Sequence, residues 1–476
     1  MDRQKEEYAN LNFEDLKTLV VGSGISGIGA VSLLVRLGAD VILYDSNEKL
    51  HPQDLQEKLI KEENFPAKHP VYCITGELPA DVEKQVDAVV LSPGVPTDIP
   101  LVSRLKDRSV PVLGEIELGF LFEKGRVAAI TGTNGKTTTT TLVGEIMKAH
   151  LGEDRVFVVG NIGNPYTLEA VKTAEDTVTV AEISSFQLET VHCFKPAVSA
   201  ILNITPDHLN RHHTMEAYVA TKEAITCNQD RGEICVLNAE NEYTAAFAER
   251  CPATPVLFSS RRKLENGYYL DQNQIVKSVA GQKTVLLDIH KDMNLVGICN
   301  VENVMAAIAI AEGMQVPMDT ILAVIKDFHA VEHRIEFVVT KNGVDYYNDS
   351  KGTNPDAAIQ GIRAMNKPTI LIGGGYDKGS EYDEWIDSFD GKVKYLVLIG
   401  QTREKIAECA LRHGFPKERI RFADTYQECL KLCTALASPK DAVLLSPACA
   451  SWGMFPNYEV RGKEFKEYVK GLKEEV

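Results

Sequence analysis

The sequence predicts an α/β protein of three domains, and three observations carry that prediction. The chain has 476 residues, which at about 150 residues per domain is too long for one core. Short apolar runs recur, each ending in a polar or glycine-bearing loop before a helical stretch, the alternation that builds mostly parallel sheets. Two of these runs end in different glycine loops, one at Gly22–Gly27 and one at Gly132–Gly135. No internal repeat or low-complexity segment interrupts the pattern. The expected limits are 1–114, 115–330 and 331–476.

The central domain is organised by Thr131–Thr138, TGTNGKTT, directly after the apolar run Val127–Ile130. A strand ending in a glycine turn with Lys-Thr at a helix start brings backbone N–H groups, an ammonium and a hydroxyl onto phosphates. The loop is shorter than the general phosphate-binding pattern, because Ile130 stands where that pattern has its first glycine. An ATP site is expected, with a helix over Thr138–Ala149. Further strands are expected at Val156–Val159, leading into the turn Gly160–Gly163, at Thr177–Ala181 and at Val198–Leu202. The second of these delivers Glu182, whose carboxylate can share a magnesium ion with Thr137; the third runs out to His208. Glu182 also reads as a solvated surface acid, because its strand is half polar, and His208 as a hydrogen-bonded loop histidine. The cluster His208, His212 and His213 lacks a nearby cysteine, which disfavours zinc.

The first domain opens with the strand Lys17–Val21, the loop GSGISG, a helix over Ile28–Leu37 and a second strand Val41–Tyr44 ending at Asp45. This βαβ spacing fits a dinucleotide, a UDP-sugar diphosphate or a purely structural turn. A strand at Asp87–Leu91 follows and runs into Ser92–Pro96, and Leu101–Phe122 carries the chain onward. The third domain begins near Val331, after a helix over Asp319–Phe328. Its expected strands Val344–Tyr347, Thr369–Ile372, Leu396–Ile399 and Ala442–Leu445 each end in a polar loop.

The formal charge of −16 disfavours nonspecific binding to nucleic acid or anionic lipid, so a polyanionic partner should be small and held in a cleft. The opening stretch MDRQKEEYANLNFEDLK lacks an apolar leader, and no run approaches the about 20 residues of a spanning helix, so a cytoplasmic protein is expected. Ten cysteines without a C-x-x-C pair suggest reduced, mostly buried thiols.

Eight ordered segments, TGTNGKTT, AEISSFQLE, NITPDHLNRH, Lys222, EHRIE, NDSKGTNPDA, GGGYDKG and SPACASWGMFPNYEVRG, resemble those of the Mur ligases, from about Leu19 to Gly462. NDSKGTN with the C-terminal segment is most similar to the branch that adds D-glutamate. The resemblance implies a Rossmann-like N-terminal domain for a UDP-sugar, a central P-loop ATPase-type domain and a Rossmann-like C-terminal domain. It also implies the chemistry. ATP phosphorylates the terminal carboxylate of UDP-N-acetylmuramoyl-L-alanine, and the amine of D-glutamate displaces phosphate from the acyl phosphate to give an amide.

Carried over residue by residue, the resemblance puts Ile25, Ser26, Asp45, Ser46, Gly94 and Asn161 on the UDP-sugar. Gly132, Thr133, Asn134, Gly135, Lys136, Thr137 and Thr138 would hold the ATP phosphates. Asn300 and Asn303 would lie toward the adenine, with Cys299 where the family more often has histidine. Arg334, Asp349 and Lys351 would meet the γ-phosphate and ribose, with His333 close by. One Mg²⁺ would sit on Thr137 and Glu182 and a second on His208 and a carbamylated Lys222, so that Lys136, His208 and Lys222 carry the chemistry. Thr353, Lys378, Ser451 and Phe455 would receive D-glutamate, although Trp452-Gly453-Met454 departs from the family's usual run before that phenylalanine.

The resemblance further implies domain closure and a monomer. The absence of a DNPR-like string disfavours a diaminopimelate or lysine adder, and a domain before the ATP loop disfavours folylpolyglutamate synthetase. A nicotinamide oxidoreductase would rest on GSGISG and Asp45 alone and leave Gly135-Lys136-Thr137 unexplained. A nucleotide switch without chemistry would bind ATP and make no amide.

Overall fold

The computed structural model describes residues 8, 10–14, 16–62 and 71–473. The opening stretch used to argue against a leader, and the outermost limits of the first and third expected domains, lie partly outside these residues. Among the described residues no helix is long and apolar enough to cross a membrane. The architecture is three-layered α/β throughout, around three sheets.

The first sheet is parallel and contains β1 (Lys17–Val21), β2 (Asp40–Asp45), β3 (Tyr72–Thr75), β4 (Ala88–Leu91) and β5 (Val112–Gly114), in the order β3-β2-β1-β4-β5. The order reverses between β1 and β4, and the crevice at such a switch point is where open α/β sheets bind ligands. Helix Ile25–Arg36 follows β1 and buries Ile28, Val31, Leu34 and Val35 against the sheet.

The central sheet has nine strands: β6 (Arg126–Thr131), β7 (Val156–Gly160), β8 (Val178–Glu182), β9 (Val198–Ile201), β10 (Ile234–Asn238), β11 (Thr254–Ser259), β12 (Gly267–Asp271), β13 (Gln274–Val279) and β14 (Gln282–Asp288). Their order is β14-β13-β12-β11-β10-β9-β6-β8-β7. Strand β6 therefore lies between β8 and β9, with Ile130 opposite Glu182 and Thr131 opposite Ile201. Every residue of β8 is buried, so its one threonine, Thr179, faces packed neighbours rather than water and donates its hydroxyl to Glu123 at 2.7 Å.

Two acids fasten the connection between these sheets. In helix Glu115–Phe120, Glu117 is fully buried and accepts the backbone N–H groups of His192, Cys193 and Phe194 at 3.0, 2.6 and 3.2 Å. Glu115 accepts the N–H and hydroxyl of Thr167, both at 2.8 Å, while its second oxygen is buried without a partner. Burial raises its carboxyl to about 7.

The third sheet contains β15 (Glu336–Lys341), β16 (Val344–Asn348), β17 (Thr369–Gly373), β18 (Val393–Leu398), β19 (Ile420–Phe422) and β20 (Ala442–Leu445), in the order β15-β16-β20-β17-β18-β19. Only the β15–β16 pair at its edge is antiparallel. Its core holds the fully buried Trp385 with Leu371, Leu396 and Ile406.

The chain divides into two compact units. The first comprises 1–271, 276–286 and 305–324, and the second 272–275, 287–304 and 325–476. Asn300 and Asn303, on helix Ile298–Gly313, thus group with the third sheet.

The expected strands formed within about three residues of their anticipated ends, and the helix expected over Thr138–Ala149 extends to Lys136–Leu151. Strands β10–β14 were not anticipated. In β14 the first four residues of QKTVLLD are exposed, so no apolar run marks that strand.

Candidate functional site

At the switch point of the first sheet, a cleft of about 790 Å³ opens between its glycine loop and the turn after β7. Its lining includes Ile25, Ser26, Asp45, Ser46, Gly94 and Asn161. The glycines there do different work. Gly22 has φ +98°, and a Cβ on Gly27 would lie 1.9 Å from the carbonyl oxygen of Gly22, so both are needed to fold the turn. A Cβ on Gly24 would meet nothing within 4 Å, which leaves that backbone open to a ligand. Gly24 caps the helix without a side-chain bond, so its N-terminal N–H groups face the cleft available for an anion.

Asp45 accepts the Ser23 N–H at 3.0 Å, the Ser23 hydroxyl at 2.6 Å and the Asn47 N–H at 3.0 Å. Burial alone would raise its carboxyl, but these donors and nearby Lys58 outweigh that and hold it below the usual range. Asp45 therefore stiffens the glycine loop as well as lining the cleft. Ile25 is 77% exposed, an apolar side chain offered to a flat partner.

The phosphate-type loop leaves β6 with Gly132 at φ +151° and enters helix Lys136–Leu151 through Gly135 at φ +86°. Asn203 braces it: the Asn134 N–H donates to Asn203 Oδ1 at 2.8 Å and the Thr133 N–H to the Asn203 carbonyl at 2.9 Å. The Thr133 hydroxyl also contacts Tyr218 at 3.0 Å. Lys136 donates to the carbonyls of Gly132 and Thr133 at 2.8 and 2.9 Å. Thr137 and Thr138 are buried at the first helical turn.

Glu182 is 1% exposed, which removes the surface-acid reading. Its Oε1 accepts Asn161 Nδ2 at 2.7 Å, and its Oε2 is buried without a hydrogen-bond partner. Lys222, on helix Met215–Glu223, is also 1% exposed, and it donates to the Gly132 carbonyl at 2.9 Å. Burial, then the charge of Lys136, push its ammonium well below the usual lysine range against an opposing pull from Asp207. Lys222 is thus a buried amine disposed to be neutral.

His208 has φ +54°, a side chain 49% exposed, and its ring 4.9 Å from Phe186. The other two members of the histidine run diverge. His212 is buried and 2.9 Å from the Ser185 hydroxyl, whereas the His213 side chain is 70% exposed and faces Asp98.

In the second unit, the loop after β16 is held from inside. Asp349 accepts the Ser446 hydroxyl at 2.7 Å and the Ile335 N–H at 3.2 Å. Burial raises its carboxyl to about 6 despite Arg334 nearby. Arg334 Nε is itself buried without a hydrogen-bond partner. His333 is buried and accepts Asn348 Nδ2 at 2.8 Å. Lys351 lies 5.7 Å from the Tyr458 ring centre, and Thr353 follows it in the same loop. Asn300 and Asn303 are buried and bonded to one another at 3.1 Å. Beside them burial raises the Cys299 thiol to about 12, so it is a neutral packing group.

Ser451 is buried, and Lys378 is exposed with its ammonium 5.6 Å from the Trp452 ring centre. Phe455 is 9% exposed and packs edge-on against Tyr426 at 4.8 Å, within the apolar core. Its placement makes it the support behind this loop rather than an open wall, and the aromatic ring facing Lys351 is Tyr458.

Sequence reasoning did not single out Asn203, Tyr218 or Arg461. Arg461 is 1% exposed and donates to the Ser350 hydroxyl, the Ser350 carbonyl and the Cys449 carbonyl at 3.0, 2.7 and 3.2 Å. It ties the loop after β16 to the loop after β20. The one signal for it was an arginine beside a glycine late in the chain.

Comparison with known proteins agrees along the whole chain. The Mur ligase MurD-like N-terminal domain matches residues 16–114, the Mur ligase middle domain 130–311, and the Mur ligase glutamate ligase domain 333–449. A protein of Lachnospira eligens named UDP-N-acetylmuramoylalanine--D-glutamate ligase is 55% identical over 462 residues, covering 97% of this chain and all of that one. A protein of the same name from Clostridioides difficile is 42% identical over 464 residues, again 97% and 100%.

Among solved structures, the UDP-N-acetylmuramate-alanine ligase of Thermotoga maritima aligns with TM-score 0.59 at 19% identity, over 96% of this chain and all of that one. The UDP-N-acetylmuramoylalanyl-D-glutamyl-2,6-diaminopimelate--D-alanyl-D-alanyl ligase of Acinetobacter baumannii aligns at 0.58 and 15%, over 95% and 92%. These two likenesses establish the shared three-domain α/β fold. With three domain matches in order and full-length relatives at such identity, the chain belongs to the Mur ligase family.

Proposed function

We propose that this chain is the ATP-dependent ligase that adds D-glutamate to UDP-N-acetylmuramoyl-L-alanine. It would act in peptidoglycan precursor synthesis, and so in cell-wall growth, shape and division. The observation that carries the reading is the meeting of Lys136, Lys222 and Glu182 around one short glycine loop at the C-terminal ends of β6 and β8. Full-length identity to proteins named for this reaction supports it.

In this reading the cleft lined by Ile25, Ser26, Asp45, Ser46, Gly94 and Asn161 takes the UDP-sugar, with the diphosphate against the helix N-terminus at Gly24. The backbone of Gly132–Thr138 and Lys136 take the ATP phosphates. Lys136 leaves the carbonyls of Gly132 and Thr133 when an anion arrives, exchanging a neutral acceptor for a charged one. Asn300 and Asn303 serve the adenine side, and Arg334, Asp349 and Lys351 the γ-phosphate and ribose.

Thr353, Lys378 and Ser451 receive D-glutamate, with Phe455 backing them. A dicarboxylate needs a cation and hydroxyl donors beyond its reacting amine. Domain limits of 1–114, 115–330 and 331–476 belong to the same proposal, as do a cytoplasmic setting and a monomer.

The residues fit two magnesium ions. Among the described residues the Glu182 carboxylate has a buried oxygen without a partner, on the strand next to the one that leads into the Thr137 turn, and such an oxygen suits a hard cation. Lys222 is buried and depressed toward its neutral amine, the form that takes up CO₂ as a carbamate. That carbamate with His208 offers a second oxygen and nitrogen set. Bound there, the metal supplies charge neutralisation between phosphates and carboxylate.

The test is an amino-acid panel with UDP-N-acetylmuramoyl-L-alanine, read as phosphate release and amide product. Release only with D-glutamate is expected. Turnover with L-alanine, L-lysine or diaminopimelate instead would move the chain to a sister ligase.

A further inference from the structure

We infer that Asp383, Cys409 and His413 form a binding site for one divalent cation of the zinc class, pinning two helices of the second unit together. Asp383 and Asp387 are four apart on helix Asp383–Asp387; Cys409 lies on helix Arg403–Arg412 and His413, four further on, ends it. Residues four apart share a helix face, so each helix offers two donors to the other.

The donor atoms of Asp383, Cys409 and His413 all lie within 4.8 Å of one another. His413 is held at both nitrogens: Nε2 is 2.9 Å from Asp383 Oδ1, and Nδ1 is 2.6 Å from Asp387 Oδ1. One ring nitrogen thus points into the cluster, while a carboxylate outside it fixes the ring from behind. That is the arrangement that orients metal-bound histidines.

Cys409 forms a buried floor at 3% exposure, and the partly exposed side chains of Asp383 and His413 leave an entrance. On binding, the Cys409 thiol and the His413 Nε2–H give up their protons to solvent, and the resulting thiolate, imidazole and carboxylate suit zinc or cobalt rather than magnesium or calcium, which prefer all-oxygen shells. Three protein ligands leave a fourth position for water. Arg412, whose Nη2 lies 3.2 Å from Asp383 Oδ1, supplies the positive charge before a cation arrives. Its side chain is 64% exposed and can turn outward.

The experiment titrates Co²⁺ into the full chain with Mg²⁺ already present in excess. One equivalent should bind with a thiolate-to-metal absorption band that Zn²⁺ abolishes by displacement. Cys409→Ser should remove the band, His413→Gln should weaken binding at least about 100-fold, and Asp387→Asn about 10-fold. Arg412→Gln should bind at least as tightly as the parent.

His413 lies at the surface end of its helix, so His413→Gln tests the site even if Cys409→Ser misfolds. Absence of the band in the parent chain, or unaltered Co²⁺ affinity in His413→Gln, would overturn the site and leave only an ion-pair cluster. Amide synthesis is measured separately, so loss of this site and failure of the ligase reading give different results.

Discussion

Lys136 and Lys222 donate to the same backbone oxygen, that of Gly132, at 2.8 and 2.9 Å. Two ammonium groups converging on one neutral acceptor repel each other, and the buried one yields. Lys222, enclosed and beside Lys136, is the one whose proton is loosened. Of the two, Lys222 is the one disposed to be a neutral amine.

Lys136→Ala should lower phosphate release by about 10³-fold or more, since it removes the cation from a site where charge develops. Binding of the UDP-sugar, read by calorimetry, should change little because the cleft at Gly22–Gly27 does not include this lysine. Normal turnover in this variant would remove the phosphate-loop assignment.

Lys222→Ala should cost about 100-fold in turnover. Small carboxylates added to the assay should restore part of it by supplying the missing anionic oxygens. An unaffected variant would end the carbamate proposal.

Asn161 lines the cleft at the switch point of the first sheet and also donates to Glu182. Asn161→Ala should raise the Mg²⁺ concentration needed for half-maximal rate by about 10-fold and raise KM for the UDP-sugar as well. A change confined to one of the two would show that the residue serves a single ligand.

Glu115 gives a pH signature in stability. Its folded carboxyl is raised to about 7 from the ordinary 4.5, so the folded chain holds a proton that the unfolded chain releases. The stability this contributes is complete below about 4.5 and is lost as pH rises toward 7. Glu115→Gln should flatten that part of the Tm–pH curve and melt higher than the parent at pH 8, by up to about 3 kcal/mol of stability. Parallel curves for the two proteins would show that Glu115 is ionised in the fold.

Much of the fold was legible because parallel strands buried on both faces read as apolar runs, and each glycine loop marks a strand end. What escaped was determined by contacts distant in sequence. Asn203 looks like any loop asparagine until Asn134 folds back onto it from 69 residues away. Lys222 looks like helix surface until the loop covers it, and a carboxylate at the end of a half-polar strand gives no sign that its strand is buried. The packing of Phe455 against Tyr426, behind a segment read as functional, is likewise set by a contact 29 residues away.

Helix Glu115–Phe120 is held by Glu115 and Glu117 to residues 167 and 192–194, yet its Leu118 packs into the core of the first sheet, which makes that sheet a poor candidate for isolation as a fragment. Cutting the gene after residue 114 would keep Glu117 with its three amide donors in the downstream piece but part Leu118, fully buried in the intact chain, from the first-sheet core it packs into. Inhibitor screens aimed at the cleft of the first sheet therefore call for the joined pair, because one wall of that cleft, at Gly160–Pro165, is coded downstream of the cut.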